Sequence, residues 1–274
     1  MKKVTKYLMM LGLLLTAANK VSAQTPTGVK AIDLGLPSGT RWANMNVGAT
    51  APEGLGLFFA WGETVGYGND TSDGRLFDWQ SYRWCNGTAT SLTKYCSNGN
   101  YGTVDNKSVL ELEDDAAHVN WGESWRMPTY TEIQELCDNT DYEVTIVNGM
   151  RGVKFTSRTN GNSVFMPTPG LRKDSRIEYE PGERGYYWSS TPTSSNGANF
   201  LDVHPTYRDP AITNYHYRYH GMSIRPVSNS GSTAIRTLNS NDSTVNVIKK
   251  YVKDGVIVIE KSGRKYNIAG VSMK

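Results

Sequence analysis

The chain has 274 residues, with 29 lysines and arginines against 26 aspartates and glutamates, and it is rich in glycine (27), tyrosine (16) and tryptophan (7). Four of the lysines fall in the first 23 positions, which hold no acid, so the rest carries 25 basic against 26 acidic groups. A nearly neutral surface has no field to gather phosphates, which excludes nucleic acid as an expected partner, while roughly 250 residues are enough to bury a sizeable core.

The N-terminus reads as a leader. Lys2, Lys3 and Lys6 precede an apolar run from Tyr7 to Ala18, and Val21-Ser22-Ala23 supplies the small residues before a cut at Gln24. A signal peptide is therefore expected over 1–23 and the protein is expected to be exported, to the outer membrane surface, the extracellular space or the periplasm. The apolar run is shorter than the ~20 residues that cross a bilayer, so no membrane span is expected once it is removed.

After the leader, Val29 to Ala49 reads as a strand, a Pro-Ser-Gly turn and a second strand, and Gly56 to Glu63 as a buried strand. Val65 to Lys107 is a long polar excursion, which Phe77, Trp79, Tyr82 and Trp84 mark as packed. Leu112 to Gly122 suggests a short helix. In "WGESWRMPTYTE", Thr129 stands three residues before Glu132, the spacing of a capping box, and Ile133, Leu136 and Cys137 then share one face of a helix expected over about 130–138.

The stretch "YEVTIVNGMRGVKFTS" reads as a hairpin across Asn148-Gly149. "SVFMPTPG", "GYYWSST", "ANFLDVH" and "GMSIRPV" read as further strands. The Ser-, Asn- and Thr-rich run over 229–243 is expected to be a linker, dividing a domain at 24–228 from a small β-hairpin appendage at 244–274. The short loop between Cys85 and Cys96 permits a disulfide, leaving Cys137 alone; small buried thiols are the alternative.

Several segments, in this order, carry a family resemblance: "AIDLGLPSGTRWANMNVGA", "FFAWGE", "YRWCNGT", "LTKYC", "LEDDAAHVNWGESWRMPTYTEIQELC", "GYYWSST" and "GMSIRPV". Over about Val29 to Val227 the chain resembles the Fibrobacter succinogenes major paralogous domain. The resemblance implies an α+β, C-type-lectin-like fold: a twisted antiparallel sheet with two short helices, long loops and paired N- and C-terminal strands. It implies no general activity, and some relatives serve as adhesin or pilus-associated modules. Met45 stands where relatives often carry a cysteine. The "WRMPT" segment is also similar to formylglycine-generating enzymes, but no cysteine follows Cys137, so their chemistry does not transfer.

On this reading Trp42, Trp61, Trp121, Trp125, Trp188 and Arg225 are core residues, and Arg126 bridges to a carboxylate such as Asp114, Asp115 or Glu132. No catalytic set emerges: Asp114-Asp115 and Glu111/Glu113 are adjacent acids, and Ser189-Ser190 lacks a nucleophile-elbow setting. No metal or other cofactor is expected. The "EPG" at Glu180 to Gly182 lacks the amide of a calcium-lectin site, and His216 with His220 lacks a third ligand.

Candidate ligand contacts come from two loops, 173–184 and 204–220. The first offers Arg176, Tyr179 and Arg184, and the second Tyr207, Tyr215, His216, Tyr217 and Tyr219. If Asn214 to Gly221 is extended, Tyr215, Tyr217 and Tyr219 share one face, opposite His216, Arg218 and His220. The expected role is non-catalytic recognition of a glycan or protein at the cell surface, with a structural subunit of a pilus or envelope assembly as the alternative.

Overall fold

The computed structural model describes residues 23–122, 124–205 and 211–229, and short strands between 248 and 273. All of the expected leader but Ala23, all of the expected linker but Asn229, and Tyr207 lie outside the described residues. Two compact units divide between Ser232 and Thr233.

Among the described residues the larger unit is α+β, with several small antiparallel sheets and two helices. Strands β1 (Ala31–Asp33) and β2 (Arg41–Ala43) form a hairpin. The chain then runs to helix α1 (Ala116–Trp121) almost without regular structure, broken by single 3-10 turns at Thr71–Asp73 and Leu112–Asp114. Helix α2 (Tyr130–Asn139) leads into β3 (Thr140–Val147), β4 (Met150–Ser157) and β5 (Ser163–Pro167), which pair in that order. A small hairpin of β6 (Leu171–Lys173) and β7 (Arg176–Glu178) follows. Then β8 (Gly185–Pro192), β9 (Gly197–Val203) and β10 (Ala211–Tyr217) make a second three-stranded sheet. Finally β11 (Val227–Ser228) returns to pair with β2, closing the unit on its own beginning. In the second unit, β12 (Ile248–Lys253), β13 (Val256–Lys261), β14 (Arg264–Tyr266) and β15 (Ser272–Met273) form one four-stranded antiparallel sheet. Among the described residues no helix is long and apolar enough to cross a membrane.

Local chemistry accounts for these elements. Helix α2 starts where Thr129 accepts from the Glu132 amide and the Glu132 carboxylate accepts from the Thr129 amide. The β3–β4 turn places Asn148 (φ 47°) and Gly149 (φ 85°) in left-handed conformations, the pair that a two-residue hairpin requires. Two expected strands are not regular. The segments Phe58 to Glu63 and Gly221 to Pro226 are buried, but their amides go to scattered partners: Phe58 to Tyr67, Phe59 to Met222, and Trp61 to the Arg218 carbonyl.

Three apolar clusters fill the unit. One gathers Trp61, Trp121, Trp125 and Trp188; a second packs Trp42 with Ile133, Leu136 and Phe155 under α2; a third holds Phe58, Phe77, Tyr82, Leu92 and Tyr219 beneath the long excursion. The indoles of Trp61 and Trp188 donate to the carbonyls of Ser189 and Phe59. Trp121 and Trp125 meet edge to face at 5.4 Å.

Arg126 fixes the start of α2 from outside the helix. Its guanidinium grips the Glu132 carboxylate in bidentate fashion, at 2.7 and 2.5 Å, and Thr40 donates to the same carboxylate. Burial alone would raise the Glu132 carboxyl, but the Arg126 guanidinium and the Thr129 amide outweigh it and hold the group down at about 2. Because the folded value lies below the ordinary carboxylate range, this stabilisation is present above about pH 4.5 and drains away as pH falls toward about 2. Urea midpoints measured across that window should fall more steeply for the wild type than for Glu132→Gln; equal slopes would place the acid sensitivity elsewhere.

Candidate functional site

Strand β10 carries the most exposed aromatic surface in the described structure. Tyr215 is 49% and Tyr217 37% exposed, and their rings meet at 82° with centroids 5.9 Å apart. With His216 they line a shallow notch of about 170 Å³. Tyr215 and Tyr217 share a face because side chains alternate along a strand, and His216 accordingly turns inward against Tyr186 and Phe200.

The alternation stops at Tyr217. A turn follows, in which the His220 amide donates to the Tyr217 carbonyl. The expectation of a single tyrosine face through 219 is corrected here: Tyr219 is 9% exposed, and Arg218 and His220 are buried. The cause is Arg218. Its guanidinium enters the core over the Trp61 ring and donates to the carbonyls of Gly197, Tyr95, Thr193 and Ser195. Tyr219 then supports the notch from beneath. It stacks on Tyr217 (5.7 Å, 16°) and lies against Trp79 at 4.9 Å, while Trp79 also meets Tyr217 at 5.8 Å. Trp79 thus brings the long 65–107 excursion to the site, a role that its packing residues hinted at but that strand periodicity could not locate.

The 173–184 loop reaches the same aromatic cluster indirectly. Tyr179, 40% exposed and with φ 63°, lies 5.8 Å from Tyr186, whose ring also contacts His216. Arg184 is not free for a ligand: it is paired to the buried Asp202 carboxylate and packs over Tyr179 and Tyr186. That pairing raises its pKa further above the ordinary arginine value. Arg176 is exposed on β7, and among the described residues no hydrogen bond or ring contact ties it to the notch.

The acids considered for catalysis have other occupations. The ligand atoms of Glu111, Glu113 and Asp114 lie within 4.8 Å of one another, but the Lys94 amine sits among them at 2.5, 3.6 and 2.5 Å. Tyr95 also donates to Asp114. Asp115 points elsewhere, accepting from the amides of Ala117 and His118 to cap α1 and from the Met127 amide. Ser189 and Ser190 are buried and donate to backbone carbonyls. Arg225 is fully buried, donates to Asn46 and the Ala43 carbonyl, and is pushed down to about 10 by its burial.

Comparison with family models, curated proteins and solved structures returns no match.

Of the two readings of the cysteines, the structure has the free thiols, with Cys85 and Cys96 unbridged. Cys85 donates to the Trp79 carbonyl at 3.0 Å and Cys96 to the Asn98 carbonyl at 3.2 Å, so each sulfur is directed into its own turn. Burial raises the Cys137 thiol to about 12, which leaves little thiolate to react. Alkylation in denaturant without reductant, followed by intact mass, should add three adducts; a single adduct would mean that Cys85 and Cys96 are bridged.

Proposed function

We propose that the protein is a non-catalytic recognition module that binds a glycan through the notch of Tyr215, His216 and Tyr217. The observation that carries this reading is the exposure of two tyrosine rings at 82°, backed by the rings of Tyr219 and Trp79. Tyrosine faces stack on the apolar faces of sugar rings at little entropic cost, and their hydroxyls offer hydrogen bonds at the rim. Tyr179 is a further exposed ring, joined to His216 through the buried Tyr186.

The finer fold reading, C-type-lectin-like, belongs to this proposal. It is supported by the return of β11 to β2, the two short helices and the long irregular segment between β2 and α1. Membership of the major paralogous domain family rests on the ordered motifs. Export to the cell surface or the extracellular space rests on the basic and apolar pattern that precedes Gln24.

A role as a structural subunit of an envelope assembly is the second reading. It is favoured by β3, which among the described residues pairs only with β4 and leaves Val144 and Ile146 exposed, at 36% and 67%.

A glycan array probed with the full chain should give hits that Tyr217→Ala and Tyr215→Ala each weaken about tenfold or more, with far-ultraviolet circular dichroism unchanged, since a stacked ring contributes on the order of 1.4 kcal/mol or more. Absence of any hit, together with concentration-dependent self-association that Ile146→Lys abolishes, would replace this reading with the structural one.

A further inference from the structure

His216, which lines the notch, meets a second histidine, the buried His220, beneath it. His216 and His220 approach Nδ1 to Nδ1 at 2.5 Å, with ring centroids 4.1 Å apart and planes at 85°. The Tyr217 amide also donates to His216 Nδ1 at 3.1 Å, which makes that nitrogen an acceptor and assigns the shared proton to His220 Nδ1. His220 is 1% exposed, and its Nε2 is buried with no hydrogen-bond partner.

Both sites for a second proton are therefore unfavourable. A proton on His216 Nδ1 would face two donors, the His220 N–H and the Tyr217 amide. A proton on His220 Nε2 would be a buried donor without an acceptor, which costs the full desolvation of that group. Either added proton therefore disfavours the arrangement that joins the end of β10 to the following turn, and the pair is held in it most firmly while both rings are neutral.

We propose that His216 and His220 form an acid-sensitive latch that holds Tyr217 and Tyr219 in register, so that acidification loosens the floor of the notch and releases its ligand. The consequence for the ligand rests on the reading of the notch given above, whereas the latch itself does not.

The surroundings agree. Facing the pair are Lys173 from β6, Arg184 ahead of β8, Tyr186 from β8, Phe200 and Asp202 from β9, and Tyr217 and Tyr219 from their own segment. Burial lowers the His216 imidazole to about 4, and Lys173 and Arg184 add to the effect. Asp202 opposes it, but that carboxylate is already held by Arg184. Burial and the neighbouring His216 push His220 down further. With folded values below the ordinary histidine value of 6.5, the latch is intact above that value and is lost as pH falls toward about 4.

The test uses the full wild-type chain. Nitrogen-15 histidine spectra should show two imidazoles that stay neutral, in fixed tautomers, through about pH 6. Amide exchange over 215–220, corrected for its intrinsic rate, should rise below about 6.5, by up to about tenfold per pH unit for each histidine that takes up a proton on opening, while exchange in β8 does not change. In His220→Phe, which keeps a ring but removes the donor, the same amides should exchange fast at neutral pH and lose the dependence. Titration of both imidazoles near the ordinary value, or a parallel rise in β8, would overturn the latch. Because neither measurement involves a ligand, failure of the array experiment leaves this result standing.

Discussion

The Arg218 guanidinium is the interaction on which the larger unit depends. It is completely buried, lies 4.8 Å over the Trp61 ring and donates to four backbone carbonyls, those of Tyr95, Thr193, Ser195 and Gly197. The Tyr95, Thr193 and Ser195 carbonyls belong to the long excursion and to the β8–β9 connection, irregular segments with no ladder of their own to satisfy them, whereas Gly197 opens β9 and its carbonyl also accepts from the Thr193 amide and hydroxyl. A buried carbonyl left unpaired costs about 1–3 kcal/mol, so one planar fork that reaches three such groups replaces the hydrogen bonds a strand would have supplied. Among the described residues no carboxylate lies within ion-pair distance of it, and burial lowers its pKa accordingly.

Other guanidinium groups repeat the device. Arg172, also fully buried, ties β6 to the excursion through the Asp73 carboxylate and the Gly68 carbonyl. Arg225 links the last segment to Asn46 and Ala43, and Arg126 links the start of α2 to Glu132 and Asn229. A domain with this much irregular backbone is held by cations reaching inward as well as by its aromatic clusters. The same arrangement positions the candidate site: Arg218 lies between Tyr217 and Tyr219, so drawing it into the core ends β10 and turns the tyrosine behind it into a buried support.

What the sequence made legible was local. The capping box at Thr129 and Glu132 and the Asn148-Gly149 turn are motifs whose chemistry is complete within a few residues, and both stand where their spacing puts them. Tyr215 and Tyr217 could be paired on one face because strand alternation holds up to residue 217. The remainder depends on distant partners. An apolar run such as "LFFAW" reads as a strand, yet its amides bond to Tyr67, Met222 and Arg218 in turn, which no periodicity encodes. An arginine among tyrosines and histidines reads as surface, because the carbonyls that draw it inward lie up to 123 positions away. The two thiols followed the same logic: loop length permitted a bridge, but each turn directs its sulfur to a different carbonyl.

Urea unfolding of Arg218→Met tests this account most directly. Methionine keeps the apolar stem and removes every donor, leaving the Tyr95, Thr193 and Ser195 carbonyls unpaired, so a loss of roughly 3–5 kcal/mol is expected, with Arg218→Lys recovering only part of it. A variant within about 0.5 kcal/mol of the wild type, with the same near-ultraviolet spectrum, would contradict the claim that this guanidinium holds the irregular segments together.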